Sequence, residues 1–173
     1  MALPKLTLVL GGASSGKSAY AEALVLESKL EPIYLATAQA FDNEMEEKIR
    51  RHRNMRGGQW TTVEEPIALP NALMQLKADQ AVLIDCATMW LTNVVLGDHD
   101  LANAQTGFLQ AAATCAAQVV VVSNEVGQGI VPDNALSRKF RNAQGQLNQA
   151  LAAQADRVFA VMAGLPLELK ATQ

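Results

Sequence analysis

A glycine-rich segment near the start of the chain has the residue types that bind phosphate. Residues 11–18 are GGASSGKS, which matches the pattern G-x-x-x-x-G-K-[ST] at every defined position. Glycines allow a tight turn in which successive backbone N–H groups point at one anion, and the positive end of a following helix strengthens that field. Lys17 would reach the outer phosphates of a nucleoside triphosphate, and the hydroxyl of Ser18 would hold Mg²⁺. The predicted phosphate-binding residues are Gly11, Gly12, Ala13, Ser14, Ser15, Gly16, Lys17 and Ser18.

Asp85 is a second candidate for contact with the metal ion. It follows the apolar run AVLI at residues 81–84, which predicts a buried strand. A carboxylate at such a strand end usually helps to place the hydrated Mg²⁺ beside a phosphate loop, although an aspartate there can also cap a helix. Because the phosphate loop is present, we predict that Ser18 and Asp85 together bind the metal ion.

The segment from residue 42 to 56 has an acidic beginning and a strongly basic end. Spacings of four, three and four residues define one stripe of a predicted helix, at Met45, Ile49, His52 and Arg56. The apolar members of this stripe should turn it inward. Neighbouring arginines favour the neutral, nucleophilic form of a histidine and could bind the phosphates of a nucleotide. Spacing alone nevertheless favours a structural interpretation, in which the basic end complements the helix dipole and His52 is merely packed.

A polar loop is predicted further along the chain, after the fourth strand. Residues 124–132, NEVGQGIVP, combine polar side chains with two glycines, which is typical of a binding loop. The next helix carries a polar strip beside its apolar stripe, at Arg138, Arg141, Gly145 and Asn148. This strip could meet a ligand, another subunit or solvent, and composition does not separate the three.

Short apolar runs alternate with longer amphipathic segments, which predicts alternating strands and helices. The predicted strands are Leu6–Leu10, Ile33–Thr37, Ala81–Asp85, Val119–Ser123 and Arg157–Met162. The predicted helices are Lys17–Leu30, Asp42–Arg56, Ala68–Lys77, Leu101–Ala117 and Ala135–Ala153. Strands rich in Val, Ile and Leu without alternation are typical of a parallel sheet covered on both faces. We therefore predict an α/β, P-loop NTPase-like three-layer domain with a mostly parallel central sheet, whose ligands lie outside the carboxyl ends of the strands.

The composition fits a single domain over residues 1–173 with an aliphatic core, since 50% of the 173 residues are hydrophobic and 5% are aromatic. A net charge of −3 argues against a general nucleic-acid-binding protein. Cys86 and Cys115 are isolated in apolar stretches, which predicts buried, reduced thiols. The sequence has no convincing targeting segment and no apolar run long enough to span a membrane, so we expect a cytoplasmic location.

Motifs along nearly the whole chain match one known family. They are the phosphate loop at 11–18, YLATA at 34–38, D-x-EM at 42–45 with I-x-x-HR at 49–53, W-x-T-x-E-x-P at 60–66, DC at 85–86 with WLTN at 90–93, SNEVG-x-GIVP at 123–132, R-x-FR at 138–141, G-x-LNQ at 145–149 and AGLP at 163–166. On these residues the chain resembles the adenosylcobinamide kinase/adenosylcobinamide-phosphate guanylyltransferase family of cobalamin biosynthesis. The phosphate loop is generic, whereas the His52 helix and the loop at 124–132 are specific to this family.

The resemblance implies two reactions on one protein. The first phosphorylates the aminopropanol hydroxyl of adenosylcobinamide, with ATP or GTP as donor. In the second, a histidine that matches His52 attacks the α-phosphorus of GTP, releases pyrophosphate and holds GMP until adenosylcobinamide phosphate accepts it. His52 and Lys17 are thus the implied catalytic residues, with Lys17 neutralising phosphate charge.

The resemblance also implies the nucleotide contacts and an assembly. The positions where the family contacts the guanine nucleotide match Ala36, Thr37, Ala38, Arg53, Asn54, Met55, Arg56, Glu64 and Asp85. The resemblance further implies a homotrimer with the nucleotide near the subunit junctions.

Two other hypotheses compete with this one. The chain could be a different small-molecule kinase that uses the phosphate loop alone, with His52 structural. It could also be a nucleotide-sensing module without chemistry. A covalent protein adduct formed from GTP would count against the first alternative, and release of pyrophosphate would exclude the second.

Overall fold

Strands and helices alternate along most of the chain, as the sequence predicts. The computed structural model describes residues 3–39, 47 and 57–171. The strands are β1 (Leu6–Gly11), β2 (Glu31–Ala36), β3 (Thr61–Glu64), β4 (Gln80–Asp85), β5 (Gln118–Asn124), β6 (Arg157–Met162) and β7 (Leu165–Lys170). The helices are α1 (Lys17–Glu27), α2 (Leu69–Met74), α3 (Ala87–Leu96), α4 (Leu101–Thr114) and α5 (Ala135–Gln154). The predicted helix over 42–56, with His52, lies outside the described residues except for Glu47.

One sheet contains all the described strands, in the order β3-β2-β4-β5-β1-β6-β7. Neighbouring strands are parallel, except that β6 and β7 are antiparallel. The central strands β1, β4 and β5 are buried along almost their whole length, because neighbours and helices cover them on every side. The predicted mostly parallel sheet is therefore confirmed.

Alternate side chains of the central strands enter two separate apolar layers. Leu8 belongs to the layer that contains Trp90 of α3 and Phe108 of α4. Val9 belongs to the layer on the other face, which contains Val25 of α1. Since helices pack on both faces, the predicted three-layer α/β fold is confirmed.

Helix α3 and the two edge strands β3 and β7 are absent from the predicted strands and helices. Most of α3 is buried, including Ala87, Trp90 and Leu91, so the segment lacks the polar face that produces a helical period. Every residue of β7 is exposed, and its second residue is Pro166. Proline argues against a central strand but is tolerated at a sheet edge, where β7 lies.

Three predicted helices are too long at their carboxyl ends. The structure ends α1 at Glu27 because Lys29 has a φ of 61°, which a helix cannot continue. It ends α4 at Thr114 because Cys115 is extended, with a ψ of 138°. Helix α2 covers Leu69–Met74 of the predicted Ala68–Lys77.

Candidate nucleotide site

The predicted phosphate loop connects β1 to α1. Gly16 precedes the helix with a φ of 92°, a conformation that glycine adopts without steric cost. The turn is closed by a hydrogen bond from the Ser15 N–H to the Gly12 carbonyl (3.3 Å) and anchored by one from the Gly164 N–H to the Ser15 carbonyl (2.8 Å). The Lys17 ammonium donates to the Gly12 carbonyl at 2.9 Å. The strand, turn and helix that a phosphate loop requires are therefore all present, with Lys17 curled over the turn.

Gly11 has no room for a side chain. A Cβ at this position would lie 2.4 Å from the Ser15 hydroxyl and 2.7 Å from the Val161 carbonyl oxygen. At Gly12, by contrast, an added Cβ would meet nothing within 4 Å. Gly11, where the loop begins, is thus packed against β6, whereas Gly12 faces open space.

This difference predicts opposite results for two neighbouring substitutions in the ligand-free protein. Gly11→Ala should lower the free energy of unfolding by about 1–3 kcal/mol, because the Val161 backbone must move to relieve the contact. Gly12→Ala should change it by less than about 0.5 kcal/mol. Urea unfolding of both variants without nucleotide measures the difference. Equal destabilisation would contradict the packing described here.

Asp85 ends β4 and is held by a buried tyrosine. The Tyr34 hydroxyl, which comes from β2, donates to the Asp85 carboxylate at 2.7 Å. The fully buried Thr37 hydroxyl donates to the Cys86 carbonyl at 2.7 Å and accepts from the Cys86 N–H at 2.8 Å. These contacts fix the chain on either side of the carboxylate. Thr37, predicted as a nucleotide contact, therefore ties the ends of β2 and β4 together through its side chain.

The charges of Lys17 and Asp85 converge on Cys86. Burial, and next the negative charge of Asp85, raise the pKa of the Cys86 thiol to about 11, while the positive charge of Lys17 opposes the rise. Lys17 follows β1 and Asp85 ends β4, and both strands are parallel neighbours of β5. The two charged residues therefore lie at the same carboxyl edge of the sheet.

Further predicted nucleotide contacts lie in a row along this edge. Ala36 of β2 is in register with Asp85 of β4 on one side and with Glu64 of β3 on the other. Glu64 is exposed, and Ala38 is half-buried just beyond the end of β2. The predicted contacts Arg53, Asn54, Met55 and Arg56 and the predicted nucleophile His52 lie outside the described residues.

The polar strip of α5 holds the loop that follows β5. Arg141 donates to the Gly127 carbonyl, and Arg138 donates to the carbonyls of Pro132 (2.9 Å) and Asp133 (2.6 Å). Asn148 is not on the surface: it is 5% exposed and donates to the Asn124 carbonyl at 3.1 Å. The sequence left open whether the strip meets a ligand, another subunit or solvent. Arg138, Arg141 and Asn148 bond instead to backbone carbonyls of the loop after β5, and these contacts give no support to a ligand role.

The match to a family model covers residues 7–169 and describes the family as cobinamide kinase / cobinamide phosphate guanyltransferase. The chain belongs to this family. The predicted enzyme class, a kinase combined with a guanylyltransferase, is therefore confirmed.

Full-length relatives agree with this family. The chain is 44% identical to the bifunctional adenosylcobalamin biosynthesis protein CobP of Pseudomonas aeruginosa, over 94% of this chain and 96% of that protein. It is 40% identical to the bifunctional adenosylcobalamin biosynthesis protein CobU of Escherichia coli, over 94% and 98%.

Solved structures with low sequence identity share the fold. The flagellar accessory protein FlaH of Methanocaldococcus jannaschii is 12% identical, with a TM-score of 0.55 over 99% of this chain and 80% of that one. An ATPase from a bacterial type III secretion system is 10% identical, with a TM-score of 0.54 over 96% of this chain and 57% of that one. These similarities agree with the predicted P-loop NTPase-like fold.

Among the described helices, none is both long and apolar enough to cross a bilayer.

The oxygen groups at the site suit a magnesium ion that arrives with its nucleotide. Within residues 3–39 and 57–171, no group of three or more His, Cys, Asp or Glu side chains could hold a metal ion. Mg²⁺ normally binds one or two protein oxygens and completes its shell with phosphates and water. Ser18 at the start of α1 and the Asp85 carboxylate would provide such a partial set.

Tyr34, which the sequence analysis names only within the YLATA motif, is a hydrogen-bond partner of the candidate site residue Asp85. Its partner Asp85 is 51 positions away in the chain, so only the pairing of β2 with β4 brings them together. A tyrosine within an otherwise apolar buried strand is the available signal, because a buried phenol usually has a hydrogen-bond partner.

The predicted buried thiols are confirmed and should be unreactive in the native protein. Cys86 and Cys115 are both free and buried, and burial raises the pKa of each. Since the thiolate is the reactive form, we expect little reaction of either thiol with a disulfide reagent at pH 8 and rapid reaction of both on unfolding in urea. Absorbance of the released thiol measures this, and fast labelling of the native protein would contradict it.

Proposed function

We propose that this protein phosphorylates adenosylcobinamide with ATP or GTP and then transfers GMP from GTP to the product, giving adenosylcobinamide-GDP. The observation that carries the proposal is the family match over residues 7–169, on a chain whose phosphate loop and Asp85 lie at the same carboxyl edge of the sheet. The whole chain, residues 1–173, serves as one catalytic domain.

In the kinase step, the corrinoid hydroxyl oxygen forms a bond to the γ-phosphorus, and the bond from that phosphorus to the leaving nucleoside diphosphate breaks. The hydroxyl proton leaves to the surrounding water. The phosphate-loop amides and the Lys17 ammonium hold the triphosphate and offset its charge, which is most of the work in phosphoryl transfer. A bound Mg²⁺ would add positive charge at the phosphates, with Ser18 and Asp85 as its protein contacts.

In the guanylyl step, an imidazole nitrogen of His52 forms a bond to the α-phosphorus of GTP, and pyrophosphate leaves. A phosphate oxygen of adenosylcobinamide phosphate then attacks the same phosphorus, and the imidazole leaves. The I-x-x-HR motif at 49–53 supports this role for His52 through the family resemblance. The chain has one other histidine, His99, which lies exposed after α3.

The guanine nucleotide would lie along the carboxyl edge of the sheet. The row formed by Glu64, Ala36 and Asp85 supports this position, since a carboxylate such as Glu64 can accept hydrogen bonds from ribose hydroxyls or from guanine N–H groups. Arg53, Asn54, Met55 and Arg56, with Thr37 and Ala38, complete the proposed contacts. We further propose a cytoplasmic homotrimer, on the basis of the family resemblance.

Labelled GTP tests both reactions in one experiment. Purified protein is incubated with adenosylcobinamide, Mg²⁺ and GTP that carries label on either the γ- or the α-phosphorus. We expect label from the γ-position in adenosylcobinamide phosphate and label from the α-position in adenosylcobinamide-GDP. Transfer of γ-label without any α-label would support a simple kinase instead. Absence of both products would refute the proposal.

A further inference from the structure

The loop after β5, specific to the family, begins at Asn124 inside the nucleotide site. β5 lies between β1, which leads into the phosphate loop, and β4, which ends at Asp85. Asn124 is in register with Gly11 of β1 and lies two residues beyond the partner of Asp85, Val122. The residue therefore sits at the carboxyl edge of the sheet between the phosphate-binding turn and the carboxylate.

The side chains of Asn124 and Asp85 emerge on the same face of the sheet. Alternate residues of a strand share a face, so Asn124 points to the side of Val122 and Asp85 to the side of Leu83. Both Val122 and Leu83 belong to the apolar layer that packs against α1. Both polar side chains therefore emerge on the face that carries α1, on the two adjacent strands that lie to one side of β1.

The backbone of Asn124 is held in place from both sides. Its N–H donates to the Thr88 hydroxyl at 2.8 Å, and its carbonyl accepts from the Asn148 amide at 3.1 Å. Asn148 is itself bonded to Ser123 (2.6 Å) and to Gln144 (3.0 Å), all three buried. These hydrogen bonds fix the backbone and hence the origin of the Asn124 side chain.

The carboxamide of Asn124, by contrast, has an unsatisfied oxygen. Among the described residues, nothing donates to its buried Oδ1. The Ser15 hydroxyl of the phosphate loop is likewise buried without a partner among them, and it lies beside Gly11, the residue in register with Asn124. Buried oxygens of this kind normally have partners, because burying an unbonded polar atom costs free energy. Asn124 Oδ1 and Ser15 Oγ border the phosphate loop, where a bound ligand would supply the missing contacts.

We propose that Asn124 is a substrate-contacting residue whose carboxamide oxygen accepts a hydrogen bond from an O–H group held at the terminal phosphate. This inference rests on the proposed function. The O–H group is either the corrinoid hydroxyl or a water molecule that accompanies the Mg²⁺ of the nucleotide. A carboxamide accepts no proton at neutral pH, so Asn124 orients this group and the proton leaves elsewhere.

Asn124→Ala tests the role, with Asn71→Ala as the matched control because Asn71 is exposed on α2. The kcat/KM of γ-phosphoryl transfer should fall about 10- to 100-fold in Asn124→Ala and stay unchanged in the control. The ligand-free melting temperature should stay equal or rise, since the variant removes an unsatisfied oxygen. A purely structural residue would instead lower the melting temperature when replaced. A fall of that temperature in Asn124→Ala, or an unchanged kcat/KM, would overturn the inference.

Binding measurements distinguish the two sources of the O–H group. A fluorescent, non-hydrolysable GTP analogue is titrated over a range of Mg²⁺ concentrations without corrinoid. If the group is metal-bound water, Asn124→Ala should need about tenfold more Mg²⁺ for half-maximal binding. If it is the corrinoid hydroxyl, nucleotide binding should be unchanged and only the corrinoid step should weaken.

If Asn124→Ala fails to fold, a second variant, Asn124→Asp, tests the inference. Asn124→Asp keeps the shape of the side chain, and its charge should weaken binding of the analogue because it repels the terminal phosphate. Unchanged affinity in Asn124→Asp would place the side chain away from the phosphates and overturn the inference. Because wild-type protein alone tests the two reactions with labelled GTP, failure of the proposed function is recognised separately.

Discussion

His52→Ala is expected to abolish formation of adenosylcobinamide-GDP, with a loss of at least about 10³-fold, while phosphorylation of adenosylcobinamide stays within about threefold of wild type. The guanylyl step needs a bond between the imidazole and the α-phosphorus, and alanine offers no nucleophile in its place. The kinase step passes the γ-phosphoryl group directly to the corrinoid hydroxyl. It therefore depends on the phosphate loop and Lys17 rather than on His52.

The covalent intermediate provides the measurement for this prediction. Wild-type protein incubated with α-labelled GTP should retain label after denaturation and lose it in acid, because a bond between phosphorus and imidazole nitrogen hydrolyses there. His52→Ala should retain none. The matched control is His99→Ala, which removes the other of the two histidines and should label normally. Labelling of His52→Ala, or loss of label in His99→Ala, would show that the nucleophile is misassigned.

Lys17→Ala is expected to slow both reactions, each by about 10²- to 10³-fold in kcat/KM. The Lys17 ammonium lies 2.9 Å from the Gly12 carbonyl, over the turn where the phosphates would bind. Its positive charge offsets the negative charge on the phosphate oxygens as the bond within the donor breaks. The methyl group of alanine provides no charge in its place. The same triphosphate grip serves attack at the γ-phosphorus and at the α-phosphorus, so one substitution should affect both.

Parallel assays of the two reactions measure this effect. Lys139→Ala is the matched control, since Lys139 is exposed on α5 and its loss should leave both rates unchanged. A Lys17→Ala protein with one reaction at the wild-type rate would contradict a shared triphosphate site. It would require a second nucleotide site that does not use the phosphate loop.

The parts of the site that depend on local chemistry were predictable from the sequence. Gly11, Gly16 and Lys17 belong to one short segment, and its turn is determined by glycine conformations and by the apolar run before it. Asp85 was predictable because it closes an apolar strand. The family resemblance added His52, which spacing alone does not distinguish from a packed histidine.

The parts that depend on contacts between distant segments were not predictable. The Tyr34 hydrogen bond to Asp85 follows from the pairing of β2 with β4, and the network of Ser123 with Gln144 and Asn148 joins β5 to α5. Sequence periodicity describes one element at a time and contains no information on which strands become neighbours. For the same reason, composition alone does not show that the polar strip of α5 bonds to the loop after β5.

Mass spectrometry of the protein after brief incubation with GTP and Mg²⁺ shows whether His52 is the residue that carries GMP. The peptide that contains His52 should gain the mass of GMP less one water, and fragmentation should assign that mass to the imidazole. We expect this modification in the wild-type protein and its removal when adenosylcobinamide phosphate is added. Guanylylation of any other residue, or corrinoid guanylylation at full rate with His52 never modified, would contradict it.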